Sequence, residues 1–397
     1  MITLAEKDKC TGCGACAYVC PKQCIKMRSE VLWGLIPFID SSECIECEKC
    51  KKTCPILNPA EKFTPIKTYA ARSTDKEEVF SSASGGIASS LYKDAIQQGA
   101  VIAGAVQATD FSVSLLAGEG IEWIERFKNS KYVFSEAGTL YPQLADKLKQ
   151  GKKVVVAALP CQIAAIRKIF SNYSGLYLID IVCHGTTPIE YLQQHIRTIE
   201  KKQKCSAVKM YFRDPNTYTY TFTFTLYDSQ GKRFYAKRTK DGDTYQYGYH
   251  RAVSYRENCY HCPFANSKRT GDISLADYPG LGKSTPFPYE RKHINCVLIN
   301  TEKGNQWFQD AINKRIVSAY ERPIEEAING NGQLRNPVKK SKDRMDFEIS
   351  IRNNGGNFES AMIPIMKRGL RKEKIKKLSL LPRRIVDKLK RITRKII

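Results

Sequence analysis

Eight cysteines near the start of the chain repeat one spacing twice. Each run has three cysteines separated by two residues, then a fourth after three further residues, then a proline. The runs are Cys10, Cys13, Cys16 and Cys20, and Cys44, Cys47, Cys50 and Cys54. This spacing holds two 4Fe-4S clusters when the fourth cysteine of each run ligates the cluster of the other run. We predict one cluster on Cys10, Cys13, Cys16 and Cys54, and a second on Cys44, Cys47, Cys50 and Cys20.

Zinc and disulfides are the two alternative uses of so many cysteines. Structural zinc sites usually take two ligands from each C-x-x-C pair, whereas three cysteines crowd each run here. A disulfide scaffold is disfavoured because the chain shows no signal-peptide pattern and its 15 cysteines are an odd number. We therefore expect a cytoplasmic iron-sulfur protein.

The cysteine-rich segment is a small part of the chain. A two-cluster 4Fe-4S domain of the ferredoxin type needs about 60 residues, and the chain has 397. No apolar run approaches the roughly 18 residues of a membrane span. The predicted parts are 1–62 for the ferredoxin-type domain, 67–150 and 151–330 for the flavin side and the third-cluster side of a larger domain, and 331–397 for a basic tail.

From residue 67 onward, apolar strands alternate with amphipathic helices. The predicted strands are 69–72, 101–106, 154–158, 176–182 and 294–300, and the predicted helices are 84–98, 139–150, 163–170, 189–201 and 302–315. Buried Val/Ile/Leu strands between helices indicate an α/β fold with a mainly parallel sheet covered on both faces. A hairpin over 218–237 is predicted as an antiparallel extension of that sheet. A small α+β ferredoxin-like domain precedes this core.

Four further cysteines occur at informative places in the larger domain. Cys161 and Cys183 each follow the carboxyl end of a predicted strand, where α/β sheets place ligands. Cys259 and Cys262 form a C-x-x-C pair in a loop. Together they can supply the four thiolates of a third 4Fe-4S cluster. By spacing alone, a zinc or redox pair and two buried cysteines without function are the alternatives.

Several motifs occur in the order found in one known family. They are Ala71-Arg72-Ser73, Ser84-Gly85-Gly86, Asn129-Ser130-Lys131-Tyr132, Pro160-Cys161-Gln162, 180–185, and Cys259 to Cys262 followed by Asp272-Ile273-Ser274 and Asp277. Over roughly residues 67–320 the chain resembles the family of beta subunits of coenzyme F420 hydrogenases and dehydrogenases. The resemblance implies an iron-sulfur flavoprotein that binds FAD, with a cluster on Cys161, Cys183, Cys259 and Cys262. Ala276 stands where relatives often have glycine, and Pro279 follows, which implies a reshaped cavity.

The segment Ser84-Gly85-Gly86 opens a predicted helix. Backbone N–H groups and the helix dipole can hold a phosphate at such a position, and glycines permit close approach. A plain helix cap is the alternative, but Arg72 and Lys131 near strand ends favour the phosphate interpretation. The motifs of the resemblance add Ser73 and Tyr132 to the predicted flavin contacts.

His184 is the predicted catalytic residue. An imidazole titrates near neutral pH and can donate a proton beside a flavin. The alternative is that His184 only shapes the loop around Cys183.

The net charge of +24 is concentrated at the end of the chain, because residues 367–397 contain 14 Lys and Arg against two acidic residues. Apolar residues recur there at helical spacing, at Ile385, Leu389, Ile392 and Ile396. A basic amphipathic helix suits peripheral contact with an anionic membrane or an acidic partner. A solvated tail and an RNA-binding arm are the alternatives. The absence of aromatic residues disfavours nucleic acid.

These observations predict an oxidoreductase that depends on flavin and iron-sulfur clusters. Electrons would pass between a ferredoxin- or flavodoxin-type partner protein and a substrate through 4Fe-4S clusters and FAD. Analogy with relatives indicates a small or sugar-linked substrate of polysaccharide biosynthesis. The alternative is an electron-transfer subunit of a larger redox complex with no substrate of its own.

Overall fold

The structure is a computed structural model and describes residues 3–217 and 219–379. Its first part is a small α+β unit made of helices α1 (Ala15–Tyr18) and α2 (Lys49–Thr53) and strands β1 (Ile25–Glu30) and β2 (Gly34–Ile39). The strands pair antiparallel. Each helix lies inside one cysteine run, and the hairpin separates the two runs along the chain. The predicted ferredoxin-like architecture is confirmed.

Most of the remaining strands belong to one large sheet. In chain order they are β3 (Lys67–Ser73), β4 (Val101–Gln107), β5 (Val113–Gly118), β6 (Val154–Ala158), β7 (Leu176–Ile181), β8 (Lys209–Tyr211), β9 (Phe224–Tyr227), β10 (Arg233–Lys237), β11 (Ile273–Asp277), β12 (Asn295–Ile299) and β13 (Val317–Arg322). The large sheet has the order β13-β3-β12-β11-β7-β6-β4-β5. Its centre, β11-β7-β6-β4, is parallel, and antiparallel strands flank it on both sides. The predicted α/β class is confirmed.

Helices cover both faces of the large sheet. In chain order they are α3 (Lys76–Ser81), α4 (Ile87–Gln97), α5 (Glu122–Phe127), α6 (Leu140–Lys149), α7 (Pro160–Ile169), α8 (Ile189–Gln203), α9 (Thr244–His250), α10 (Glu302–Asn313), α11 (Ile324–Gly330), α12 (Lys342–Asn353) and α13 (Phe358–Ser379). Val154 and Val156 of β6 pack with α6 and α7, while Val155 packs with α4 and α10. Alternate side chains of a strand point to opposite faces, which explains why β6 is apolar throughout.

The hairpin of β9 and β10 is not an extension of the large sheet, so that prediction is wrong. These strands pair with β8 in a separate three-stranded sheet. Packing against α8, α9, α12 and α13 buries this second sheet in a lobe of its own. The antiparallel flank of the large sheet includes β13, which follows the helix predicted to end the core. As a half-exposed edge strand, β13 lacks the apolar run that marked the central strands.

The region assigned to a basic tail begins with ordered structure. Helices α12 and α13 bury Phe347, Phe358 and Met362 in the second lobe. The predicted stripe of Ile385, Leu389, Ile392 and Ile396 lies outside the described residues. Among the residues that are described, no helix is both long enough and apolar enough to cross a membrane.

Candidate iron-sulfur and flavin site

Cys10, Cys13, Cys16 and Cys54 line one small cavity in the first part of the chain. The loop before α1 carries the first two thiols of this group and curls tightly around them. Gly12 has a φ of 67°, the left-handed region that suits glycine. A side chain there would meet the carbonyl oxygen of Leu35 at 2.3 Å. We refer to these four cysteines as the first thiol set.

Cys20, Cys44, Cys47 and Cys50 line a second small cavity, and we refer to them as the second thiol set. Cys47 is exposed, so this set reaches the surface. Cys24 is buried in the same cavity, with its Sγ 3.4 Å from the Sγ of Cys20. The exchange of the fourth cysteine between the two runs is the arrangement predicted from the spacing.

Cys161, Cys183, Cys259 and Cys262 line a third cavity and form the third thiol set. Cys161 lies in the first turn of α7 directly after β6, and Cys183 follows β7. Pro160 suits the first position of a helix, and the Gln162 side chain accepts a hydrogen bond from the Leu159 N–H at 3.2 Å. The Pro160-Cys161-Gln162 motif therefore holds one thiol at the sheet edge.

The environment of the thiols fits a metal cluster. Burial raises the pKa of Cys13 and of Cys262 to about 11. Burial also raises the pKa of Cys161, and the charges of Cys262 and Cys183 raise it further. Such thiols become thiolates when a bound cation compensates the charge. In the described part of the chain, no three or more His, Cys, Asp or Glu residues are arranged to hold a single metal ion.

Tyr141 connects the first and third thiol sets. Its Oη donates to the carbonyl oxygen of Cys13 at 2.6 Å. Burial raises the pKa of Tyr141, and the charges of Cys13, Cys16 and Cys161 raise it further, so the ring lies near thiols of both sets. Helices α1 and α2 also pack against α7, which carries Cys161. The thiol sets therefore follow one another in the order second, first, third.

A cavity of about 550 Å³ adjoins the third thiol set. The two cavities share the wall formed by Leu159, Cys183, His184, Gly185 and Thr186. Ends of the parallel strands β6, β7 and β11 border the large cavity, which is the usual place for ligands in α/β sheets. Its volume falls in the range of roughly 300–1,000 Å³ that is typical of cofactor and ligand sites.

Four of the residues predicted to contact flavin line this cavity, namely Ser84, Gly86, Lys131 and Tyr132. Gly86 caps α4 with a φ of 76°. The Lys131 Nζ donates to the carbonyls of Arg126, Phe127 and Lys128 at 2.7–3.1 Å. Burial lowers the pKa of Lys131 to about 7, so it loses its proton near neutral pH. Lys131 therefore closes the end of α5 as well as facing the cavity.

Three other residues predicted to contact flavin do not line the cavity. Arg72 is exposed on β3, and the Oγ of Ser73 accepts a hydrogen bond from Ser90 at 2.8 Å. A side chain at Gly85 would meet the carbonyl oxygen of Ala71 at 2.8 Å, so this glycine serves backbone packing. Nothing in the described structure brings Arg72, Ser73 or Gly85 to the cavity wall.

The side of the cavity around His184 carries aromatic and charged groups. His250 lines the cavity with His184, and desolvation lowers the pKa of both, that of His250 to about 4. Arg213 donates to Asp277 at 2.9 Å. The ring of Tyr132 stacks on that of Tyr249 with centroids 4.5 Å apart. Both imidazoles are therefore neutral at pH 7 beside an aromatic wall.

Arg213, Tyr249 and His250 are lining residues that no motif marks. They come from the second lobe, and only folding brings this lobe over the sheet edge. The one available signal is the density of tyrosines between residues 245 and 255. Ala276 and Pro279, where the chain departs from the family pattern, also line the cavity.

Comparison with known proteins agrees with this arrangement. Residues 151–323 match the family model that describes the carboxyl-terminal part of the coenzyme F420 hydrogenase/dehydrogenase beta chain. Residues 151–323 belong to that family. Residues 9–57 match the 4Fe-4S dicluster domain. The family predicted from the motifs and the amino-terminal cluster domain are both confirmed.

Two individual proteins are similar to the chain. The F component of F(420)H(2) dehydrogenase from Methanosarcina mazei, which is named as one of its subunits, is 24% identical over 319 residues, which are 76% of this chain and 82% of that protein. A xenon-derivatised structure of the F420-reducing NiFe hydrogenase complex from Methanosarcina barkeri is 19% identical, with a TM-score of 0.42, over 73% of this chain and 94% of the matched chain. The relatives are oxidoreductase proteins, which supports a redox role.

Proposed function

We propose that this chain is an iron-sulfur flavoprotein that passes electrons between a partner protein at its N-terminal domain and a substrate in the large cavity. One observation carries the proposal: three four-thiol cavities follow one another and end at the wall of a cofactor-sized cavity. When bound, 4Fe-4S clusters carry single electrons, and FAD converts between one-electron and two-electron chemistry.

In this proposal the protein's residues bind, orient and protonate. The twelve cysteines of the three sets hold the clusters. The backbone at Ser84 and Gly86 and the Lys131 side chain bind the phosphates of FAD, and the stacked ring of Tyr132 shields the cavity from water. A neutral imidazole has one N–H and one lone pair, so His184 suits relay of a proton at the cavity wall.

Iron content tests the third thiol set. Anaerobically prepared wild-type protein should contain about twelve iron atoms, four for each set. Replacement of both Cys259 and Cys262 by Ser should lower the content to about eight, because only the third set loses ligands. The matched control is Cys205→Ser, since Cys205 lines none of the three cavities. Iron content is measured together with the EPR spectrum of the reduced protein.

The same variants show what would contradict the proposal. An unchanged iron content in the Cys259/Cys262 variant would remove the third cluster. Loss of the N-terminal cluster signals together with the third would mean that the variant has lost its fold, which the Cys205→Ser control would not show. A wild-type protein without FAD would remove the flavin part and leave a chain that carries clusters only.

A second candidate function is an electron-transfer subunit of a larger complex. The observation that favours it is similarity over 82% of the length of a relative that is named as part of a dehydrogenase. The sugar-linked substrate of polysaccharide biosynthesis belongs to the first candidate. Flavin-loaded protein should then be reoxidised by, or reduce, nucleotide-linked sugars when assayed alone. Turnover that requires another protein in every case would favour the second candidate.

A further inference from the structure

Arg256 is a buried cation that lies between two of the thiol sets. Only 1% of the residue is exposed, and it lies three residues before Cys259. Its side chain lines the cavity of the third thiol set. Its guanidinium group also donates to the carbonyl oxygen of Thr11, in the loop between Cys10 and Cys13. One side chain therefore touches the surroundings of both sets.

The guanidinium group of Arg256 bonds only to backbone of the N-terminal domain. Its Nη1 donates to Thr11 at 2.8 Å, its Nε to Trp33 at 2.8 Å and its Nη2 to Leu35 at 3.0 Å. Its planar face lies 4.0 Å from the ring centroid of Phe134. The acceptors are neutral carbonyls, and among residues 3–217 and 219–379 Arg256 forms no ion pair with a carboxylate. A buried cation without a carboxylate is costly unless another negative group lies near it.

Two glycines shape the seat of this guanidinium group. A Cβ at Gly12 would lie 2.5 Å from Nη2, and a Cβ at Gly34 would lie 2.9 Å from Nε. The backbone of the neighbouring Glu257 adds a bond from its N–H to the carbonyl of Leu32 at 2.9 Å. The segment before Cys259 is thus fastened to both the cysteine loop and the hairpin of the N-terminal domain.

We propose that Arg256 is a positioning residue that holds the first thiol set against the third and raises the reduction potential of the cluster nearest to it. This inference rests on the proposed function, since it requires clusters at both sets. A cluster bound by four thiolates supplies the negative charge that Arg256 lacks in the protein. A fixed positive charge stabilises the reduced form, which carries one more negative charge than the oxidised form.

Redox titration followed by EPR tests the charge. In Arg256→Gln holoprotein, the ratio of reduced to oxidised cluster at the wild-type midpoint potential should fall about tenfold, as expected for one unit charge at close range in a protein interior. Arg256→Lys keeps the charge and should titrate near the wild type. Full iron content with a wild-type titration in Arg256→Gln would overturn the proposal.

A pair of glycine variants tests the positioning with the charge retained. Gly34→Ala puts a Cβ against Nε and should displace the guanidinium group. Gly231→Ala is the matched control, because Gly231 has a similar φ of 74° and nothing within 4 Å. The magnetic interaction between the first and third clusters should weaken in Gly34→Ala alone.

These glycine variants also decide the matter if Arg256→Gln fails to retain iron. Identical spectra of Gly34→Ala and Gly231→Ala would overturn the positioning role. Lack of a third cluster in the wild-type protein would instead contradict the proposed function itself, so the two failures are distinguishable.

Discussion

His195 is a buried imidazole held between two carboxylates. Its Nε2 lies 3.0 Å from Asp243 and its Nδ1 2.6 Å from Glu359. Burial by itself lowers the pKa of His195, but the two carboxylates raise it to about 9. The three residues belong to α8, the cap of α9 and the start of α13, so a single cation joins three helices of the second lobe.

The raised pKa of His195 predicts how stability depends on pH. The folded pKa of about 9 lies above the unfolded value of 6.5, so the stabilisation is present below about pH 6.5 and is lost as the pH rises through 9. Between pH 6 and pH 10 the free energy of unfolding should fall by about 3 kcal/mol more in the wild type than in His195→Gln. Anaerobic denaturant unfolding at both pH values measures this difference. Parallel curves for the two proteins would contradict a charged His195.

At the scale of single elements, α4 presents its first turn to the large cavity. Ser84, Gly86 and Ala88 line that cavity. Gly86 is a poor position for a test, because any side chain at its φ of 76° is strained whether or not flavin binds. Ala88 lies inside the helix, so a larger residue there fills the cavity without disturbing the cap.

Filling the cavity from α4 should prevent flavin binding. Wild-type protein should release about one FAD per chain on denaturation, as expected for a single flavin site. Ala88→Phe should release only a small fraction of that amount, because its ring occupies the space beside Ser84. The control is Ala145→Phe on α6, a partly buried alanine that does not line the cavity. Full flavin content in Ala88→Phe, at unchanged iron content, would place FAD elsewhere.

At the scale of the whole molecule, the excess positive charge at the end of the chain is divided between a packed helix and residues beyond it. A side chain at Gly369 of α13 would collide with the Tyr247 hydroxyl, and Arg368 bonds to Asp343 at 2.7 Å. Removal of residues 367–379 would therefore disturb the second lobe. Residues 380–397 carry seven Lys and Arg, one Asp and the predicted apolar stripe, and they can be removed separately.

Deletion of residues 380–397 tests whether this segment binds an anionic membrane surface. Binding to vesicles with anionic lipid should weaken at least tenfold, because each basic residue near such a surface contributes about 1 kcal/mol. Binding of the intact protein should weaken with salt, while iron and FAD content stay unchanged. Neutral vesicles are the control. Equal binding of both proteins to anionic vesicles would exclude this role.

The sequence by itself determined the features that depend on short spacing. Two cysteine runs lie within a few residues of their helices, so their grouping into two thiol sets was predictable from local geometry. The central strands were predictable because both of their faces are buried and their residues are apolar without interruption, as in β6. The positions of Cys161 and Cys183 at strand ends followed from the same pattern.

Only the tertiary structure decided how these parts meet. Arg256 bonds to carbonyls more than 200 residues earlier in the chain, and His195 meets Glu359 across 164 residues. No local pattern records such contacts, because they depend on how the second lobe and the N-terminal domain pack on the sheet. The same packing carried the β9 and β10 hairpin away from the large sheet and placed His250 beside His184. The wall between the third thiol set and the large cavity is a product of that packing.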